Sequence, residues 1–247
     1  MKTDTEKFIK FLLAFFVILG FNNISYGDIK NSRAGFLDFN VYPYMSDVDA
    51  DNTININIAA KLPGRFSYFS LNNIGNVDGD SELEDTTTFY TEQNIRWQIS
   101  DNSPFDLTLQ MNFRTGENND RHRLGARWRL NNSAVLKPIF AAMHLSYSIN
   151  LHAIQFDKEN GHVWQMEHVF KLLFPYLTDK IYLAGFIDHT FNQDLPSGFP
   201  SSPIVGEFQF GYRIIDNLYA ISEYRVNEYR RSDVNNLAVG IEYKIMW

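Results

Sequence analysis

From about residue 34 to the end, the chain alternates apolar and polar side chains with a period of two. Successive side chains of a strand point to opposite faces, so this period marks strands with one greasy and one polar side. The sharpest case is Phe105 to Arg114. There Phe105, Leu107, Leu109, Met111 and Phe113 alternate with Asp106, Thr108, Gln110, Asn112 and Arg114. The last segment sets Leu237, Val239, Ile241, Tyr243, Ile245 and Trp247 against Ala238, Gly240, Glu242, Lys244 and Met246. The chain then stops on an aromatic.

Between these lie further segments of the same kind: Ala34 to Met45, Ile54 to Ala60, Thr88 to Ile99, Arg121 to Leu130, one within Ile139 to Phe156, Trp164 to Phe174, Ile204 to Arg213 and Leu218 to Tyr229. Two more, Arg65 to Asn72 and Ile181 to Phe191, are strand-like but ambiguous in parity. The whole predicts about twelve strands. Connections alternate in length. Lys61 to Gly64, Ser100 to Pro104, Pro175 to Lys180 and Asp216-Asn217 are tight, and the somewhat longer Asn131 to Pro138 falls on the same side. Asn73 to Thr86, Gly116 to Asp120, Asp157 to His162, Asn192 to Pro203 and Arg230 to Asn236 are the loops of the other side. An even number of antiparallel strands with short turns at one end and longer loops at the other is the pattern of an all-β, transmembrane, up-and-down β-barrel. A soluble sandwich or calycin-like barrel would instead have to bury the apolar face, with Trp97, Trp128, Trp164 and Trp247 on it.

The N-terminus sharpens this choice. Lys2, Lys7 and Lys10 precede an apolar run from Phe11 to Phe21, and small residues follow at Ser25 and Gly27. That order predicts a cleaved secretory signal over residues 1–27 and a barrel over residues 28–247. The apolar run is shorter than the roughly 20 residues a membrane-spanning helix needs. Cysteine is absent, so disulfides and thiolate metal sites are excluded. The formal charge of −7 argues against a nucleic-acid polymer as partner. A mean hydropathy of −0.27 is compatible with a barrel, because polar lumen residues dilute each strand's signal.

In a membrane barrel the polar parity faces the lumen. Arg114, Arg121, Arg123, Arg127 and Arg129 then form a basic stripe, with Glu92 and Arg96 beside it. Glu167, Lys171, Glu207, Arg213, Glu223, Arg225, Glu242 and Lys244 continue around the wall. Facing rows of fixed charge select permeants by polarity and dipole, although the same charges could pair and hold the lumen rigid. Phe36, Tyr42 and Tyr90 share the lumen parity and are candidates for stacking a flat solute. Trp247 is placed to anchor at the membrane interface. His144, Ser146 and Asn150 offer a His-x-Ser nucleophile–base arrangement like that of outer-membrane acyl hydrolases, but their parity points inward rather than to lipid. No histidine has convincing metal-ligand spacing, so neither metal nor cofactor is expected.

Phe-Tyr-Thr-Glu-Gln-Asn-Ile-Arg-Trp at 89–97, Phe-Pro-Tyr-Leu-Thr-Asp at 174–179 and the aromatic C-terminus complete a pattern of strand count, length and loop order. In these respects the chain resembles the nucleoside-specific channels of Gram-negative outer membranes (Tsx-like, with the related OmpK-type porins). The resemblance implies a monomeric, narrow channel for nucleosides. It carries no substrate-contact residue onto this sequence. The expected partners are outer-membrane lipid, a small polar solute and the barrel-assembly machinery, the last through the C-terminal strand. A non-conducting structural or surface-interaction barrel and a lipid-acting acyl hydrolase remain as alternatives.

Overall fold

The alternating segments pair edge to edge until the sheet has no edge left. The computed structural model describes residues 34–45, 53–75, 88–115, 120–156, 161–231 and 233–247. The leader expected at residues 1–27 and much of the loop expected over Asn73 to Thr86 lie outside the described residues. The strands are β1 (Gly35–Met45), β2 (Thr53–Lys61), β3 (Phe66–Gly75), β4 (Thr88–Gln98), β5 (Phe105–Arg114) and β6 (Arg121–Arg129). They continue as β7 (Leu145–Gln155), β8 (Trp164–Leu173), β9 (Ile181–Phe191), β10 (Ile204–Ile215), β11 (Leu218–Asn227) and β12 (Asn235–Met246). Each pairs with its sequence neighbours, and β1 pairs antiparallel with β12 to close the barrel.

The seam is well defined. Leu37 lies opposite Ile245, Phe39 opposite Tyr243 and Val41 opposite Ile241, so the apolar row of β12 continues that of β1. The backbone nitrogens of Ala34 and Gly35 donate to the Trp247 carbonyl at 2.6 and 3.1 Å. Both ends of the barrel therefore share one rim. The tight turns share it too. Gly64 (φ 71°) and Asn217 (φ 68°) take the left-handed conformation that such reversals need.

The barrel is inside-out relative to a soluble protein. Asp38, Asn40, Asn55, Asn94, Asp106, Gln110 and Glu242 are buried within it, whereas Val41, Leu107, Val239, Ile241 and Ile245 are exposed around it. An apolar outer band without sheet edges is stable in hydrocarbon, where every backbone polar group must be satisfied internally.

The structure corrects one detail of the sequence reading and supplies two that the sequence leaves open. The connection after β6 contains a 3-10 turn, Leu130–Asn132, and a short helix, α1 (Lys137–Ala142), so Ile139 to Met143 do not begin the seventh strand. Pro138 stands in the first turn of α1, where its missing N–H costs nothing. The register between β6 and β7 also slips, with Leu124 opposite Ile154 but Ala126 opposite Leu151, which places His152 and Ala153 in a bulge. Finally, β3 turns Phe69 and Leu71 to the lumen parity, because they pair with Asn94 and Glu92. Its polar residues face outward instead. Asn72 donates to the Ser70 hydroxyl, Thr91 donates to Asn72 Oδ1 at 2.6 Å and Tyr68 donates to Gln93. This outer cluster satisfies itself across β3 and β4, which is how polar groups are tolerated on such a face.

Candidate functional site

The lumen wall divides into two charged halves. On β4 to β6 the inward positions carry Arg96, Arg114, Arg121, Arg123, Arg127 and Arg129, with Glu92 and Asp106 as the acids. From β8 round to β1 they carry Glu167, Asp188, Glu207, Glu223, Glu242 and Asp38, with Lys171, Arg213, Arg225 and Lys244 as the bases. Strict alternation places each of these side chains inside, since a one-residue slip would turn the whole row outward.

The basic half holds its arginines with few counter-charges. Asp106 is 2% exposed and accepts from Arg127 Nε at 2.6 Å and from Arg129 at 3.1 Å. Arg123 is held by neutral amides, Gln155 at 2.9 Å and Gln110 at 2.8 Å. The Arg96 guanidinium stands 5.8 Å from the Phe69 ring centroid, and that of Arg114 stands 5.2 Å from Tyr90. Glu92 is held by neutral donors as well, Asn94 at 2.6 Å and the Tyr90 hydroxyl at 3.1 Å. The basic stripe thus keeps an excess of positive charge facing the lumen.

The acidic half is braced by tyrosines. The Tyr42 hydroxyl donates to Glu223 at 2.6 Å and reaches Gln209 at 3.0 Å. The Tyr182 hydroxyl donates to Glu242 at 2.6 Å. Glycines make room for both rings. A Cβ on Gly211 would overlap the Tyr182 ring, and one on Gly240 would meet Tyr42 at 3.0 Å. Lysines and arginines complete the brace. Lys244 donates to Glu242 at 2.6 Å and lies 3.5 Å from Asp38, and Arg225 bonds Glu223 and stands 3.8 Å from Glu207. Lys244 also lies 5.7 Å from the Phe36 ring centroid, and Lys171 lies 4.8 Å from that of Tyr182.

The halves meet across the lumen near its middle. Glu92 on β4 feels the charge of Glu167 on β8, and Arg123 on β6 feels that of Asp188 on β9. Asn94, Gln110, Asn150 and His152 have no exposed surface there. Around them, several wall atoms have no hydrogen-bond partner among the described residues: Oδ1 of Asn40, Asn55, Asn57, Asn94 and Asn112, and Nε2 of Gln110. Buried polar atoms left unmet by the protein are normally met by water or by a solute.

The remaining candidates are scattered. Tyr42 has no exposed surface and Phe36 sits beside Lys244 at the short-turn end, whereas Tyr90 borders the mouth at the long-loop end. Trp247 is half exposed at the rim and packs its indole on Gly35. Arg213 is at the same rim, bonded to Asp179. His144 is not on a strand. It occupies a left-handed turn (φ 52°) with its ring 5.3 Å from that of Tyr176, while Ser146 pairs with Lys171 on β7 and β8 and Asn150 donates to Glu167. Sequence reasoning passed over Asp38, Asp106, Asp188 and Tyr182. The first two stand on the polar parity of clear segments. Asp188 and Tyr182 belong to β9, whose lumen face mixes them with Ala184 and Phe186 and so hides its period.

No protein-family profile and no curated protein matches the chain. Solved structures do resemble it. KdgM porin is 14% identical, with 84% of this chain and 98% of that chain covered and a TM-score of 0.50. NanC porin is 12% identical, with 85% of this chain and 100% of that chain covered and a TM-score of 0.53. Similarity at this identity establishes a shared barrel fold.

Proposed function

We propose that this protein is a passive channel of the Gram-negative outer membrane for small polar solutes, with nucleosides as the favoured class. The observation that carries the proposal is the segregation of lumen charge, with arginines on β4 to β6 facing carboxylates from β8 round to β1. Opposed rows create a transverse field. A neutral, dipolar solute is oriented by that field, and the excess positive charge of the basic wall disfavours cations. The apolar outer band supports a bilayer as surroundings. The porin names of the structurally similar proteins fit a channel, and the resemblance to nucleoside channels favours nucleosides.

In this reading residues 1–27 are a removed export signal, the short-turn rim faces the periplasm and Trp247 anchors at that interface. The C-terminal strand is presented to the barrel-assembly machinery, and the protein acts as a monomer without cofactor. Single-channel recording in planar bilayers tests the proposal. The expected result is a small conductance that nucleosides reduce reversibly, with ion selectivity altered by Arg123→Glu or Arg127→Glu. A second reading, a non-conducting barrel that presents its loops, is favoured by the fully buried Asn94, Gln110, Asn150 and His152 at mid-lumen. Absence of any conductance would establish that reading in place of the first.

A further inference from the structure

Between β2–β4 and β10–β12, at the long-loop mouth, the wall lines a half-open cavity of about 290 Å³. Asn73 and Tyr90 line it from one side, and Glu207, Arg225 and Asn236 line it from the other. Asn236 is the informative residue. It is 6% exposed, yet neither its Oδ1 nor its Nδ2 has a hydrogen-bond partner among the described residues. The Oδ1 of Asn73, on the facing side, is unmet as well. A carboxamide buried with both ends unsatisfied works against folding, so such groups usually mark a place where something else is bound.

The rest of the lining defines what that is. Tyr90 contributes an aromatic ring, fixed through its hydroxyl on Glu92 and by the Arg114 guanidinium beside it. The charges lining the cavity come in opposite signs. Glu207 is 3.8 Å from Arg225, and Arg230 shares the rim of the cavity with Asp233. A net ionic solute gains little from such a lining. The volume is at the bottom of the range for small-molecule sites, so it suits one or two rings and not a polymer. An aromatic ring favours a flat or CH-rich face of the solute.

We propose that this cavity is a solute-binding site at the outer mouth, with Asn236 as its specificity residue. Its ligand is a neutral, ring-sized solute that offers a hydrogen-bond donor and acceptor side by side. Both the pairing edge of a nucleobase and the vicinal hydroxyls of a neutral sugar have this chemistry. The inference rests on the channel reading only in requiring that solutes reach the mouth.

The test is calorimetric titration of the refolded full chain with uridine and, separately, with methyl α-galactopyranoside. The expected result is saturable one-site binding of one of the two. Asn236→Leu should weaken it about tenfold or more, because the partner groups on the solute lose both bonds. Asn73→Leu should weaken it less. Asn236→Asp keeps the size and the acceptor but loses the donor, so it serves if the leucine variant does not fold. Failure of both probes to bind, or unchanged binding in all three variants, overturns the site. A protein that binds but does not conduct retains this site and loses the channel reading. One that conducts but does not bind loses the site alone.

Discussion

The two walls of the lumen hold their charges by different means. On β10 to β12 and β1, carboxylates are tied to tyrosine hydroxyls and to neighbouring lysine or arginine, and the tyrosine rings lie on glycine-lined wall. On β4 to β6, arginines are held by amides and by the single carboxylate of Asp106. The first arrangement neutralises itself and stiffens the sheet. The second leaves positive charge over. Selectivity should therefore depend on the basic wall, and rigidity on the acidic one.

The largest test of this contrast is Asp106→Ala. It strips the partner from Arg127 and Arg129, which are only about one-fifth exposed. Breaking a largely buried pair leaves uncompensated charge, so unfolding in urea from lipid bilayers should show a loss of roughly 3 kcal/mol. Asp106→Asn should retain part of this through its carbonyl. If the alanine variant is as stable as the parent, the basic wall is more wetted than its burial indicates.

Next in size is Arg123→Glu. Its guanidinium is bonded by neutral Gln110 and Gln155 and faces Asp188 across the lumen, so the reversal replaces the positive charge opposite that carboxylate with a negative one. The preference for anions over cations, read from reversal potentials in asymmetric salt, should fall severalfold, and by less as ionic strength rises. The equivalent reversal on the acidic wall, Glu223→Lys, should alter selectivity less, because Arg225 and Tyr42 already offset that carboxylate. Equal effects from the two would erase the distinction between the walls.

Much of this could be seen in the sequence, because a period of two fixes the face of each side chain once one face is apolar. That is why Arg121, Arg123, Arg127 and Arg129 on β6, and Glu242 and Lys244 on β12, were placed on the inner parity. What was hidden is physical. In β3, Phe69 and Leu71 face the lumen while Ser70 and Asn72 bond with Thr91, Gln93 and Tyr68 on the outer surface. Residues that satisfy one another across strands cancel the pattern within each strand. The role of Asp106 depends on which neighbours close on it, which parity does not reveal. The unmet amides of Asn236 were hidden for the same reason. α1 escaped because a six-residue helix cannot develop its own period.

The tyrosine brace gives a smaller effect. Tyr42→Phe keeps the ring on Gly240 but removes the hydroxyl shared between Glu223 and Gln209. Loss of a hydrogen bond to a charged acceptor should cost about 1.5–3 kcal/mol, less where water replaces the hydroxyl. Conductance and ion preference should be nearly unchanged. A variant with parental stability and altered selectivity would reverse the roles assigned to the two walls.

The smallest effect should come from Arg213→Ala. Arg213 has the lumen parity of β10, yet it lies at the rim and bonds Asp179, which is 77% exposed. Water and salt screen such a pair, and exposed pairs of this kind contribute little. The unfolding midpoint and the single-channel conductance should both match the parent. Arg213 and Arg225 share a strand parity across one hairpin but differ in depth, so they separate position along the pore from position around it. A clear loss of conductance in Arg213→Ala would mean that the narrowest point lies at the rim and not at the facing charges of Glu92, Arg123, Glu167 and Asp188.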